Sequence, residues 1–304
     1  MLTYLRSTQY RTAIKPRDTL QPGSWIRSER PNEDEQRQLI ELGVDRDLLT
    51  DALDPHEVPR VDLEDGWVYF ITRLPDTDDD FNDYTTPILF ALGGQYVITV
   101  SRDSLGRLWQ PFIDNIHAPT TQKNKLFMLM LEAVGRQYQT RVASINRQMR
   151  ATTSDVRNLT SKDIMTLTGY ERKLNDYLDA LQPTNSAVEQ LLAGRILTLH
   201  EDDKDLVEDL SIEFEQLIAR CKSLLRTITN VRDSYRAVMD TRLNETIRLL
   251  TVITLAFTVP TMISGIYGMN VTIPGEQGPY VFWIVVGVSI LLSGSLAIYF
   301  LRKK

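Results

Sequence analysis

Two long runs without a charged residue lie near the C-terminus and constrain this chain more than any other feature. The first extends from Leu249 to Tyr267 and the second from Pro279 to Leu301. Each has about the length, roughly 20 residues, that a helix needs to cross the hydrocarbon core of a bilayer. Two core helices of a soluble domain are the alternative, but the short connection and the basic flanks disfavour it. We therefore predict two membrane-spanning helices.

The distribution of basic residues predicts the orientation of these spans. Seven basic residues flank the two runs: Arg232, Arg236, Arg242, Arg248, Arg302, Lys303 and Lys304. The connecting residues 271–278 contain no Lys or Arg, and their one charge is Glu276. Because basic residues accumulate on the cytoplasmic side, both termini are expected inside and the loop outside. With no apolar leader at the N-terminus, we expect a multi-pass protein of the plasma membrane.

The overall composition narrows the possible partners. The formal net charge is −6, which argues against nucleic acid, since phosphate binding needs clustered Lys and Arg. An acidic surface suits cations instead. Cys221 is the single cysteine, so no disulfide can form within the chain.

Small and polar residues recur at spacings of three and four in the first span, which places them on one helix face. They are Thr251, Thr254, Thr258, Thr261, Gly265 and Gly268. One interpretation is close packing against another helix, with each hydroxyl bonded to the preceding turn. The other interpretation is the lining of a pore. Two helices cannot enclose a pore, so a pore requires several subunits around an axis.

The same register continues backwards through Asp240 and Asp233 to Asp209, which favours the pore interpretation. A second register, from Leu210 to Val238, is apolar and predicts a packing seam against neighbouring helices. One helix from about Asp202 to Asn270 would measure on the order of 100 Å and extend far into the cytosol.

Within an assembly, this helix predicts rings of side chains around the axis. Asp233 and Asp240 would attract cations near the inner mouth, and Glu276 would do so outside. Ile247 and Leu250 interrupt the polar face and are candidates for a gate that closes by dewetting. Pro260 is expected to loosen the helix near the carbonyl group of Ala256.

At the end of the first span stands the segment Gly265-Ile266-Tyr267-Gly268-Met269-Asn270, followed by a short loop, the second span and a basic end. This arrangement resembles the CorA family of magnesium channels. The segment from Asp51 to Arg60 is also similar to the family's connection between N-terminal helices and sheet, so the resemblance covers nearly the whole chain.

The resemblance implies a CorA-like homopentameric channel with an α/β cytosolic domain, a long stalk helix and two transmembrane helices. It implies a selectivity site at Gly268, Met269 and Asn270, and transport of Mg²⁺, with Co²⁺ or Ni²⁺ as secondary ions. An amide oxygen on Asn270 suits an ion that keeps its water shell. It further implies regulatory Mg²⁺ bound between Asp51 and Asp209 of neighbouring subunits. Thr50 and Gly135-Arg136 replace acidic residues of the family, which disfavours a second regulatory site.

Local patterns predict the remaining organisation. Helices are expected over Asn32–Leu42 and Asp45–Leu53, and strands over Trp67–Leu74, Thr86–Leu92 and Gln95–Val100 with a tight turn at Gly93-Gly94. From Thr121 to Leu181 the pattern is helical, and Pro183 is expected to end it before a helix over Ala187–Leu199. The expected divisions are 1–120 (α/β), 121–200 (helical), 201–270 (stalk and first span, 249–267), 271–278 (loop), 279–301 (second span) and 302–304 (tail).

No pattern of catalytic residues is present, because the histidines are scattered and Cys221 lies in an apolar register. The chain is therefore not expected to be an enzyme. The acidic run from Asp76 to Asp83 lacks the Gly and Glu placement of a calcium loop and is expected to be a solvated loop. Two alternatives to magnesium transport stay open: transport of another divalent ion such as Zn²⁺, and a non-conducting membrane-anchored sensor.

Overall fold

The structure, a computed structural model, divides into two compact units, Met1–Val231 and Arg232–Lys304. The residues that it describes are 2–8, 14–77, 83–115, 119–155, 158–194, 196–197, 199, 201–269, 278 and 280–302.

The first unit contains a seven-stranded mixed sheet in the order β2-β1-β3-β7-β6-β5-β4. The strands are β1 (Leu2–Arg6), β2 (Lys15–Arg17), β3 (Trp25–Glu29), β4 (Arg60–Glu64), β5 (Trp67–Thr77), β6 (Asp83–Gly93) and β7 (Tyr96–Ser101). Only the β3–β7 pair is parallel among the described pairs. The three predicted strands are confirmed, and the tight turn between β6 and β7 occupies Gly94 and Gln95. Strands β1 to β4 were not predicted.

Helices cover both faces of the sheet. On one face, α1 (Glu33–Glu41) and α2 (Arg46–Asp51) pack with Ile26, Tyr69 and Leu89. On the other face, Trp25, Phe70 and Phe90 belong to a second core, because side chains alternate between the two faces of a strand. The side chain of Asn32 accepts a hydrogen bond from the amide of Glu35 and begins α1 as predicted. Asp45 caps α2 in the same manner.

The second core is built largely from helices α3 (Gly106–Asn115), α4 (Lys123–Thr152), α5 (Ser161–Leu192) and the start of α6 (Glu201–Tyr267). The prediction that Pro183 ends a helix is wrong, because α5 continues through it to Leu192. The predicted helix over Ala187–Leu199 is therefore the last part of α5, and it ends earlier. Buried packing of Leu181, Val188 and Leu191 compensates for the backbone donor that proline lacks.

The long helix predicted from the two registers is α6, with 67 residues. At about 1.5 Å per residue it measures on the order of 100 Å. The N-terminal part of its apolar register, including Phe214, Cys221 and Ile228, is buried in the core of the first unit. This part of the predicted seam therefore packs within its own chain, because α4 and α5 supply the apolar partners.

The second unit holds the remainder of α6 and the helix α7 (Val281–Arg302). Both helices are apolar and long enough to cross a membrane. Few side chains of their apolar segments are buried within the chain, which contradicts the alternative of soluble core helices.

Candidate ion pathway and cation-binding residues

The polar stripe of the first span lies on an uncovered face of α6. Val252 is buried, whereas Thr251, Thr254, Thr258 and Thr261 are exposed. The half-buried residues Leu255, Ala256, Val259 and Ile263 share the side of Val252, by their spacing along the helix. On α7 the buried positions include Ser289 and Ser293. The burial pattern indicates that α7 packs on the Val252 side and leaves the threonine side free.

Each threonine hydroxyl of this stripe donates to the carbonyl group four residues earlier. The distances are 2.9 Å from Thr251 to Ile247, 2.8 Å from Thr254 to Leu250, 2.8 Å from Thr258 to Thr254 and 2.8 Å from Thr261 to Phe257. Because the hydroxyl hydrogen is bonded to the backbone, the oxygen presents its lone pairs outward. The stripe is therefore a row of hydrogen-bond acceptors.

The C-terminal end of this stripe coincides with the end of α6. The amide of Gly268 still donates to Ser264 at 2.9 Å, and that of Met269 contacts Ile266 at 3.4 Å, so the helix tightens there. A Cβ added at Gly268 would lie 3.3 Å from the carbonyl oxygen of Ser264, so glycine keeps the backbone accessible at this point. Gly265 is exposed on the same face. Asn270 and Glu276 lie outside the described residues.

Towards the N-terminus of α6, the other residues predicted for the pathway are also exposed. Ile247 is 52% exposed and Leu250 is 63% exposed within the chain. Asp233 forms a surface ion pair with Arg236 at 3.8 Å, and Asp240 is exposed two turns further along. A surface pair of this kind contributes little to stability, so it leaves Asp233 available to a cation.

Asp51, the first predicted regulatory residue, closes helix α2 and lies beside Arg60. Its Oδ2 atom is 2.6 Å from Nη2 of Arg60, whose Nε is 2.7 Å from Oδ2 of Asp62. Glu57 pairs with the same guanidinium group. Burial alone would lower the pKa of Arg60, but the bonds to Asp62 and Asp51 outweigh it and raise that pKa. The positively charged guanidinium group of Arg60 therefore already lies beside Asp51.

Asp209, the second predicted regulatory residue, lines a cleft of about 150 Å³ between α4 and α6. Glu132 and Glu213 line the same cleft, and Glu132 pairs with Arg136 at 2.5 Å. Burial raises the pKa of Glu213, the charge of Glu132 raises it further, and Arg136 offsets part of the rise. The cleft is thus an acidic concavity.

Asp51 and Asp209 have different surroundings in this single chain. Among the described residues, no group of three or more His, Cys, Asp or Glu side chains is arranged to hold a metal ion. Arg60, Glu132 and Glu213 were not predicted as site residues. For Arg60 a signal existed, because Arg60 and Asp62 are two residues apart and share one face of a strand. For Glu132 and Glu213 only the packing of α4 on α6 brings them together.

Comparison with known proteins gives a consistent result over almost the whole chain. A family model described as "CorA-like Mg2+ transporter protein" matches residues 21–303. The cobalt/magnesium transport protein CorA of Methanocaldococcus jannaschii is 24% identical over 297 residues, covering 92% of this chain and 90% of that protein. The protein of the same name from Thermotoga maritima is 18% identical over 270 residues, covering 86% of this chain and 77% of that protein.

The fold is similar as well. The complete structure of the CorA magnesium transporter from Methanocaldococcus jannaschii aligns with a TM-score of 0.87 at 19% identity. The alignment covers 100% of this chain and 98% of that one. The architecture predicted from the sequence, an α/β domain with a long helix and two apolar C-terminal helices, is confirmed.

Proposed function

This chain belongs to the CorA family, and on that premise we propose that it forms a channel for the uptake of hydrated Mg²⁺, with Co²⁺ and Ni²⁺ as secondary ions. The single observation that carries the proposal is the exposed threonine stripe of α6, which lies away from the side that α7 covers. A polar row inside an apolar segment is costly against lipid, so it is better placed around a water-filled path. The chain acts as a transporter and not as an enzyme.

The outward lone pairs of the stripe suit a hydrated cation. Water molecules around Mg²⁺ point their hydrogens away from the ion, so the second layer must accept hydrogen bonds. Thr254, Thr258 and Thr261 offer such acceptors, because their own hydrogens are bonded to the backbone. The charge-free spans contain no carboxylate to strip the ion of its water. In this proposal, Gly268, Met269 and Asn270 form the selectivity ring at the outer end.

Several copies of the chain are needed to enclose this path, and we propose a homopentamer in the plasma membrane with both termini in the cytosol. Ile247 and Leu250 then form rings that close the path by dewetting. Asp233 and Asp240 concentrate cations at the inner mouth, and Glu276 does so at the outer one. Their exposure on α6, or position in the connecting loop for Glu276, supports these roles.

Regulation is proposed at Asp51 and Asp209 of neighbouring subunits. Mg²⁺ prefers oxygen ligands and keeps several waters, so two carboxylates from different subunits suit it. Bound metal would hold neighbouring cytosolic units together and keep the channel closed. Loss of the metal when the cytosolic concentration falls would let the units separate, which gives negative feedback.

The transport proposal is tested by Asn270→Ala in proteoliposomes that contain a magnesium-sensitive dye. Mg²⁺ influx should fall to background, because the amide ring is lost, while the assembly elutes as before in size-exclusion chromatography. Asn158→Ala, in the cytosolic unit, is the matched control and should conduct normally. Unchanged influx in Asn270→Ala would refute the selectivity ring. Zn²⁺ flux that Mg²⁺ does not inhibit would favour the zinc alternative, and an assembly without any flux would favour a sensor.

The regulatory proposal is tested by limited proteolysis of the full chain at increasing Mg²⁺. Asp51→Ala and Asp209→Ala should each weaken the protection by Mg²⁺ about tenfold, because a carboxylate ligand is lost. Asp47→Ala on α2 and Asp205→Ala on α6 remove neighbouring charges and should leave the protection unchanged. Full protection in both test variants would exclude these residues as the sensor.

A further inference from the structure

Arg60 brings three carboxylates together on the surface of the cytosolic unit. Its Nη2 lies 2.6 Å from Asp51, its Nε lies 2.7 Å from Asp62, and Nη1 pairs with Glu57. The planar guanidinium group thereby uses all three of its nitrogen atoms. One positive charge against three negative charges leaves the cluster at −2, so it still attracts cations.

Local structure holds the guanidinium group in this position. Arg60 and Asp62 are alternate residues of β4, so both side chains stand on the same face of the sheet. Strand β4 pairs with β5, where Arg60 lies opposite Ile71. Between Asp51 and Arg60 the amide of His56 donates to the side chain of Asp54 at 2.8 Å and stabilises the turn. The contact between Arg60 and Asp51 thus follows from a short, ordered segment.

The contacts of Arg60 with Asp51 and Asp62 are accessible to solvent and therefore replaceable, whereas the side chain of Glu57 is 15% exposed. The side chains of Arg60, Asp51 and Asp62 are 34%, 40% and 35% exposed. Ion pairs at such exposure are weak, because water and salt screen them. A divalent ion carries twice the charge of Arg60 and binds carboxylate oxygen directly or through its waters. Mg²⁺ and the guanidinium group cannot hold the same Asp51 oxygen at once.

We propose that Arg60 competes with the divalent cation for Asp51, and thereby sets the cytosolic Mg²⁺ concentration at which the channel closes. The inference rests on the proposed sensing role of Asp51. An arginine side chain keeps its charge throughout the physiological pH range, so the competition does not depend on pH. Its effect is to shift closure towards higher Mg²⁺ than Asp51 alone would require.

The test is an Mg²⁺ titration of the full chain in detergent, followed by the midpoint of thermal unfolding and by limited proteolysis. In Arg60→Gln the half-saturating Mg²⁺ concentration should fall roughly threefold to tenfold, because the guanidinium group no longer competes for Asp51. Arg37→Gln is the matched control, since Arg37 pairs with Glu33 and Asp34 on the surface of α1 in the same unit. It should titrate like the unaltered chain. An Arg60→Gln curve that is unchanged or moved to higher Mg²⁺ would overturn the inference.

Two further variants separate this inference from the sensor proposal. If Asp51→Asn titrates like the unaltered chain, Asp51 is not the sensor and both proposals fail. If Asp51→Asn weakens the response while Arg60→Gln changes nothing, the sensor stands and only the role of Arg60 is lost. Arg60→Lys keeps the positive charge but loses the planar set of nitrogen donors. It should lower the half-saturating Mg²⁺ concentration less than Arg60→Gln does. It replaces Arg60→Gln if that variant does not fold, and a curve identical to that of the unaltered chain would then refute the inference.

Discussion

At the scale of single residues, the surroundings of each carboxylate decide what it can bind. Asp51 has a guanidinium partner at 2.6 Å, whereas Asp209 lines a cleft with two other acids. Asp51 therefore shares one positive charge with two other carboxylates, whereas Asp209 lies among acidic residues in its cleft. Glu213 shows the effect of these surroundings most directly, because burial and Glu132 both raise its pKa.

The raised pKa of Glu213 predicts a pH-dependent effect of Glu213→Gln on stability. A carboxyl group whose pKa is raised by folding contributes stability below its unfolded value of about 4.5, and that contribution disappears as pH rises through the folded pKa. Glutamine mimics the protonated form. The melting temperature of the variant should exceed that of the unaltered chain by a few degrees near pH 8 and equal it near pH 4.

Differential scanning fluorimetry of the two proteins across this pH range provides the measurement. Glu215→Gln, two residues further along α6 on the exposed side, is the control and should not reproduce the pattern. A Glu213→Gln variant that is less stable near pH 8 would show that the carboxylate form has a favourable partner.

At the scale of secondary-structure elements, burial partners explain where the helices continue and which faces they expose. Helix α6 is covered by α4 and α5 along its N-terminal part and shows an uncovered threonine face in its apolar part. Helix α5 continues through Pro183 because its apolar residues are buried on both sides of the proline. Immediately after Pro183, Thr184 is buried and reaches the sheet: its hydroxyl oxygen lies 2.7 Å from that of Thr72 on β5 and 2.8 Å from the carbonyl group of Ala180.

This short hydrogen-bond chain predicts a measurable coupling between α5 and β5. Since Thr184 donates to Ala180, Thr72 donates to Thr184. Thr184→Val keeps the shape but leaves the buried hydroxyl of Thr72 without this partner, which should cost about 1–3 kcal/mol of unfolding free energy. The double variant Thr72→Val/Thr184→Val removes both hydroxyls and should recover most of that loss.

Chemical denaturation of the full chain in detergent measures both variants, and the double-mutant cycle gives the coupling. Additive losses, with the double variant less stable than either single variant, would contradict the direct bond.

At the scale of the whole molecule, a moderately acidic chain combines an α/β unit with two strongly apolar helical segments. The proposed orientation places the connecting residues 271–278 outside and the large α/β unit inside, because the basic residues flank the spans on one side. Because the chain has a single cysteine, the topology can be tested by labelling cysteines introduced at other positions. Burial raises the pKa of the Cys221 thiol to about 12, so this residue is a poor nucleophile near neutral pH.

The topology predicts how introduced cysteines react in a Cys221→Ser background. In intact cells, a membrane-impermeant maleimide should label Glu276→Cys within minutes and should leave Ser154→Cys unlabelled. After lysis Ser154→Cys, whose parent side chain is exposed beyond the end of α4, should react equally well. Labelling of Ser154→Cys before lysis would reverse the proposed orientation.

Local sequence patterns alone determined much of the secondary structure of this protein. Some features depend on interactions between residues that are close in the chain, so they can be predicted from the sequence. They are the charge-free runs, the cap at Asn32, the β6–β7 turn and the continuous helix α6. The threonine register placed its residues on one face of α6 for the same reason. The family signature around Gly268 lies within six consecutive residues.

Only the tertiary structure decided features that depend on distant residues. Strand β1 pairs with β2 and β3, and Trp25 on β3 pairs with Val97 on β7, a register that no local pattern encodes. Pro183 stays inside a helix because a sheet and other helices bury its neighbours. Arg60 meets Asp51, and Glu213 meets Glu132, because elements separated in the chain pack together. Neighbouring residues set the preference of a segment for helix or strand. Contacts between distant residues form only when the core packs, and the free energy of this packing outweighs the local preference.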